Sequence, residues 1–311
     1  MRKGENLMIN EDERICNEIK KRIQYQLNHS WGGVLDSSQK DGFLSNFSSE
    51  DQIVGYVLLD LLLLHNQEQE RQLAKALIHK LKSSIYKNLR PNQNKKGKQI
   101  EDILFEELSK ACFIPVADKS PADSSNAWTA IIREQVGVTD CFYDMEKIPL
   151  LLALRKNYII FYDDMLGSGT QFDKFLSKEK YGLNEKKKVS IWELLSNNEV
   201  TVYYLCFAGY KEGINIIQEK YQGVEIIEAE FFEEDDSVLS VDNEYWAYYE
   251  DEFRDRMIKR MKDILKERGI EEPYTRNLSV MFERNRPSNT VFPLYWTKSG
   301  NWTPIKAREG N

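Results

Sequence analysis

Apolar positions fall four apart over residues 11–29, where Ile15, Ile19, Ile23 and Leu27 form one stripe between charged neighbours. That spacing predicts an amphipathic helix. A Gly/Ser/Asp-rich stretch, 30–47, reads as a loop that Trp31, Phe43 and Phe47 could pin to a core. Residues 50–64 are apolar nearly all round and predict a central helix, with Ser48 and Asp51 at capping-box spacing ahead of it. Further helical periods run over 67–86 and 100–112, separated by a polar loop, 90–98, with Lys95, Lys96 and Lys98. From residue 112 the period changes. Short apolar runs predict strands at 112–117, 139–144, 158–162, 200–207 and 224–229, with helices at 126–134, 145–156, 171–180 and 211–221 between them. Alternating strands and helices predict a parallel sheet with right-handed crossovers. Residues 243–268 then carry Tyr245, Trp246, Tyr249, Phe253, Met257, Met261 and Ile264 at three- and four-residue steps, the stripe of a long helix. The last stretch, 280–302, is rich in aromatics, prolines and asparagine and has no helical period.

Composition narrows the classes. The chain has 311 residues, 41% of them hydrophobic, enough for two domains or one with an extension. Its net charge of -7 argues against broad nucleic-acid binding, which needs a basic face. The longest apolar run, 57–64, is interrupted by Asp60 and is too short to span a bilayer. Residues 1–10 contain no apolar run suited to a signal peptide, so a soluble, cytoplasmic protein is expected. Cys16, Cys112, Cys141 and Cys206, and His29, His65 and His79, lack metal-ligand spacing.

The chemistry concentrates at 158–172. Five β-favouring residues without a polar break, 158–162, predict a strand buried on both faces. Asp163 and Asp164 follow at its carboxyl end, then Gly167, Ser168 and Gly169, then a helix start at Thr170 and Gln171. Ligands of open α/β sheets bind beyond the carboxyl ends of the strands. A glycine-rich turn entering a helix offers amides to an anion. Carboxylates beside such a cradle suit a phosphorylated sugar, accepting from its vicinal hydroxyls. The structural alternative is a buried strand that ends in an Asp-rich turn.

This stretch resembles the PRPP-binding motif of type I phosphoribosyltransferases: a hydrophobic strand, two acids, then Thr-Gly and a further Thr. Asp163 and Asp164 fall on the acid pair, Ser168 on the first Thr and Gly169 on the glycine, while Gln171 stands where the last Thr is usual. The resemblance implies that both acids hold the ribose hydroxyls and could contact a Mg²⁺ shared with the diphosphate. It implies that Gly167, Ser168, Gly169 and Thr170 cradle the 5-phosphate. By position, the strand–loop–helix over 112–134 corresponds to the diphosphate element, which makes Lys119 and Arg133 candidate cations or else surface charges.

The carboxyl-terminal run is similar to the tail of the PRTase-CE group, linked to prokaryotic conflict and anti-phage systems. Asn289, Thr290, Pro293, Trp296, Trp302, Pro304 and Arg308 carry the likeness, and Asp-Asp-Met-Leu-Gly-Ser-Gly is close to the group's acid motif. Tyr295 and Trp296 are candidates to stack on a base, the alternative being plain packing over the core. The expected architecture is α/β: a helical domain (1–110), a parallel-sheet type I phosphoribosyltransferase-like core (111–235), and a long helix with an aromatic tail packing on it (236–311). The expected function is binding of PRPP or a nucleotide by a defence effector, alone or with a protein partner from its cassette. The alternatives are an inactive nucleotide sensor and a partner-docking protein.

Overall fold

The computed structural model of the protein describes residues 2–89, 98–116, 124–138, 140–181, 188–198, 200–268, 276–283, 294 and 302–305. In chain order the helices α1 (Arg2–Asn28), α2 (Ser37–Leu44) and α3 (Gln52–Asp60) lead to strand β1 (Leu63–His65). Helices α4 (Gln67–Leu89) and α5 (Lys98–Ser109) precede β2 (Ala111–Pro115), α6 (Ser124–Val136) and α7 (Ile148–Ala153). Then come β3 (Tyr158–Leu166), α8 (Thr170–Leu176), β4 (Glu179–Tyr181), β5 (Lys188–Ser190) and α9 (Ile191–Ser196). β6 (Thr201–Tyr210), α10 (Lys211–Lys220), β7 (Val224–Phe232), α11 (Asp251–Glu267) and β8 (Val280–Phe282) complete the order.

The chain divides into two compact units, residues 1–68 with 234–311, and residues 69–233. In the first, α1 buries Ile19 and Ile23 of its predicted stripe, and α11 buries Phe253, Met257, Ile258, Met261 and Ile264 in the same cluster. The tail residues Leu294, Trp302 and Ile305 belong to that cluster, with Trp302 edge-on to Phe47 at 5.5 Å. The predicted loop 30–47 contains a helix after all: Asp36 and Gln39 form a reciprocal capping box for α2. The helix expected to reach residue 64 stops at Asp60, and Leu63–His65 pairs in parallel with Val280–Phe282. Long-range strand pairing leaves no local period in so short an apolar run. The long helix expected from 243 is a 3₁₀ turn (Glu244–Tyr248), a break at Tyr249, and α11.

Two arginine forks join these helices. Arg22 holds Asp60 with Nε–Oδ1 at 2.9 Å and Nη2–Oδ2 at 2.6 Å, and the Tyr249 hydroxyl donates to the same carboxylate. Arg260 holds Asp51 at 2.6 and 2.8 Å, so Asp51 serves the fork rather than a side-chain cap on α3. The hydrogen bond from Arg260 lowers the Asp51 pKa. A lowered carboxylate contributes stability that is present above its unfolded value, about 3.9, and lost as pH falls through the folded one. The difference in Tm between wild type and Asp51→Asn is therefore expected to be constant from pH 7 to about 5 and to shrink below about 4. A difference that stays unchanged at low pH would remove the linkage.

The second unit is built on a parallel sheet of order β2-β3-β6-β7 among the described residues. Its strands are apolar runs because helices cover both faces. One face carries Ile159, Phe161, Val202 and Tyr204 against α8, α9 and α10. On the other, Trp128 of α6 stacks on Phe207 at 3.8 Å and the Thr129 hydroxyl meets that of Tyr162 at 2.7 Å. Sequence periodicity assigned 67–110 to the helical domain, but α4 from residue 69 and α5 lie in the unit with the sheet. An amphipathic stripe says that a face will be covered, not by what. Here Ser84 donates to Glu225 and Asn88 to the Tyr203 hydroxyl, side chains that point from α4 onto β7 and β6. The expected strand 139–144 reduces to one bridge, Phe113 to Phe142. The end of the expected helix 171–180 is instead β4, paired with β5. No helix among the described residues is long and apolar enough to cross a membrane.

Candidate functional site

Strand β3 lies inside the sheet, and it outruns its neighbour. β2 pairs only as far as Pro115 with Tyr162, while β6 continues alongside β3 through Asp163–Cys206, Met165–Ala208 and Leu166–Gly209. Among the described residues, β6 alone pairs with β3 alongside the acids. The Tyr162 carbonyl faces β2 and accepts the Val116 N–H at 3.0 Å. Two residues on, the Asp164 amide turns the same way, past the end of β2. It donates to Asp163 Oδ1 at 2.9 Å, and the Met165 amide donates to Asp164 Oδ1 at 2.8 Å. Both carboxylates thus serve buried backbone donors at the strand end.

Alternation gives the two acids different surroundings. Asp163 follows Ile159 and Phe161 onto the face that holds Tyr204 and Cys206, and is 2% exposed. Asp164 is 7% exposed. Burial pushes the Tyr204 phenol well above its ordinary value, and the Asp163 charge and a hydrogen bond to Asp163 push it further. Burial likewise raises the Cys206 thiol, with the Glu228 carboxylate adding to it. Asp163, Cys206 and Glu228 are register partners across three strands. Tyr204 and Cys206 were read from the sequence only as strand residues. Their place beside Asp163 follows from the β3–β6 register, which one sequence does not reveal.

After Leu166 the chain turns through Gly167, Ser168 and Gly169 into α8. Gly169, at φ +75°, holds the left-handed conformation that glycine adopts without strain. A Cβ there would also lie 3.1 Å from Ile217 Cγ1. Ser168 Oγ donates to Thr170 Oγ1 at 2.9 Å and accepts the Thr170 N–H at 3.4 Å. The turn rests on the first turn of α10, where a Cβ on Gly213 would come within 2.0 Å of the Gly167 carbonyl oxygen. Gln171 reaches back from α8, and its Nε2 donates to the Val116 carbonyl at 3.2 Å. Gly213 and Val116 are thus part of the support for the turn, and nothing in the local sequence marks either.

Asp163, Asp164 and the turn 167–170 are brought together at the carboxyl edge of the sheet. Arg133 sits in the last turn of α6, the helix that follows β2 in the chain. There its guanidinium covers the Phe142 ring at 4.9 Å. Lys119, Tyr295 and Trp296 lie outside the described residues, as do most of the loop 90–98 and most of the tail motif, Trp302 and Pro304 excepted. A Mg²⁺ usually takes one or two carboxylates together with substrate oxygens and water. Adjacent carboxylates at the carboxyl end of β3 suit that mode.

A parallel sheet with paired acids at the end of an inner strand, running straight into a glycine turn and helix, defines the class: the α/β unit is a type I phosphoribosyltransferase-like core. The PRTase-CE family model matches residues 40–308, well over half of the chain, and the protein belongs to that family. Comparison with curated proteins finds no match. Among solved structures the chain is similar to orotate phosphoribosyltransferase from Aeropyrum pernix, with 14% identity over 43% of this chain and 72% of that one, at a TM-score of 0.24. It is similar also to the AQ2163 protein from Aquifex aeolicus, with 11% identity over 63% of this chain and 83% of that one, at a TM-score of 0.29. The family model, not these likenesses, places the chain.

Proposed function

We propose that residues 163–170 bind the ribose 5-phosphate part of PRPP or of a nucleotide, and that the protein is a cytoplasmic effector of prokaryotic anti-phage defence. Asp164 and Asp163 accept from the ribose hydroxyls in this reading. The amides of Gly167 to Thr170 and the Ser168 hydroxyl hold the 5-phosphate. Each such charge-assisted contact is worth about 1.5–3 kcal/mol. Asp163 and Asp164 would hold a Mg²⁺, which would supply positive charge to offset that of a diphosphate. The observation that carries the reading is the junction itself. The acids at the carboxyl end of β3 are followed, after Met165 and Leu166, by a turn whose Gly169 is left-handed and opens α8. The defence setting rests on the family and on the sequence likeness of the tail, and a protein partner from the same cassette belongs to that setting.

Incubation of the full chain with Mg²⁺, PRPP and a panel of nucleotides, read by mass spectrometry, tests the reaction. A new ribosylated product or consumption of a nucleotide is the expected result for an enzyme of glycosyl transfer or nucleotide modification. One observation favours a second reading, a nucleotide sensor without catalysis: Asp163 is nearly sealed, accepts the Asp164 amide and lies against the Tyr204 phenol. Ligand binding with no product would select the sensor. Absence of binding to PRPP and to every nucleotide in the panel would end both readings.

A further inference from the structure

One residue holds both ends of the candidate site. Val116, 1% exposed at the end of β2, donates its N–H to the Tyr162 carbonyl at 3.0 Å, immediately before the acids. Its own carbonyl accepts Gln171 Nε2 at 3.2 Å, immediately after the turn. Residues 163–170 are therefore a segment closed through a single residue, and the closing bond comes from a side chain. Gln171 is also the position at which the sequence departs from the Thr of the phosphoribosyltransferase pattern. A threonine hydroxyl sits on Cβ, two bonds short of where a glutamine presents its amide, so it would not span the same gap from the same backbone. Phe172, the next residue, is buried against Tyr204 with ring centroids 4.3 Å apart, which fixes the helix face from which Gln171 reaches.

We propose that Gln171 is a positioning residue for the ribose-phosphate site: by bonding the Val116 carbonyl it sets the spacing between the acids and the phosphate turn. The proposal rests on the ribose-phosphate reading of residues 163–170. It explains the departure from the motif as an exchange, in which a hydroxyl at the phosphate is given up for a clamp behind it. A ligand that spans acids and turn depends on that spacing. An anion that needs the turn alone does not.

The test is isothermal titration of the full-length protein with ribose 5-phosphate and, separately, with inorganic phosphate. Wild type, Gln171→Ala, Gln171→Thr and the double variant Asp163→Asn/Asp164→Asn are compared. Both Gln171 variants are expected to lose about tenfold in affinity for ribose 5-phosphate and about twofold or less for inorganic phosphate. A bond that merely stabilised the fold would weaken both probes equally, and that outcome overturns the assignment. So does unchanged ribose 5-phosphate affinity in Gln171→Ala, or tighter binding by Gln171→Thr than by wild type. If the aspartate variant loses ribose 5-phosphate while Gln171→Ala keeps it, only the role of Gln171 falls. If the aspartate variant binds like wild type, the ribose-phosphate reading falls and takes the clamp with it.

Discussion

Replacing Asp163 and Asp164 together by asparagine is expected to abolish ribose 5-phosphate binding, with a loss of about a hundredfold or more. The magnitude follows from two charge-assisted contacts at about 1.5–3 kcal/mol each, against 1.4 kcal/mol per factor of ten. The substitution preserves volume, which matters because both residues are buried. An asparagine oxygen at 163 can still accept from the Asp164 amide and the Tyr204 hydroxyl, so the strand end keeps its internal bonds. The single variants separate the roles. Asp164→Asn leaves the carboxylate beside Tyr204 in place and is expected to cost most of the affinity with little change in Tm. Asp163→Asn is expected to lower Tm more, because its amide nitrogen has to find an acceptor in a sealed site. In cells, expression of the wild-type protein is expected to slow growth and that of the double variant is not. Full ligand affinity in a folded double variant would remove the acids from the site, and equal toxicity of both proteins would shift the weight to partner docking.

The parts of this site that were legible in the sequence are those set by neighbours along the chain. The run 158–162 announces a strand buried on both faces, two acids mark its end, and Gly169 marks the left-handed entry to α8. The parts that were not legible depend on register between distant strands. Which neighbours each acid would meet could not be read from Asp163 and Asp164, because the β3–β6 register puts Tyr204 and Cys206 on the face of Asp163. Arg133 was nominated for its charge and its helix, and its contact with the Phe142 ring depends on where Phe142 bridges to β2, which one sequence does not reveal. The same limit shows in the fold. Local period located α4 and α11, but not the pairing of Leu63–His65 with a strand more than two hundred residues away. Gln171 drew attention as a mismatch to a motif, and only the position of Val116 gives that mismatch a physical meaning.

Gly213→Ala is the sharpest test of how the turn 167–170, the proposed phosphate cradle, is held. Propensity alone predicts a gain, since alanine is favoured over glycine in a helix by about 1 kcal/mol. Geometry predicts the reverse. A Cβ at this position in α10 would stand 2.0 Å from the Gly167 oxygen, 2.8 Å from the Gly167 carbon and 3.0 Å from the Gly169 nitrogen. All three are backbone atoms, so no side-chain rotation relieves the clash, and either the turn or the helix must move by roughly 1 Å. Forced overpacking of this kind costs about 1–3 kcal/mol, enough to cancel the propensity gain and lower Tm. The larger effect falls on binding, because the displaced atoms are the amides and carbonyls of the cradle, and an error of about 1 Å in such a site can cost a hundredfold. Lys211→Ala, two residues earlier, removes an exposed pair with Glu233 and is expected to change little. Thermal unfolding and ribose 5-phosphate titration of the two variants side by side decide the matter. A Gly213→Ala protein with raised Tm and wild-type affinity would mean that the turn does not rest on α10, whereas a lowered Tm with lost affinity ties the cradle to the helix beneath it.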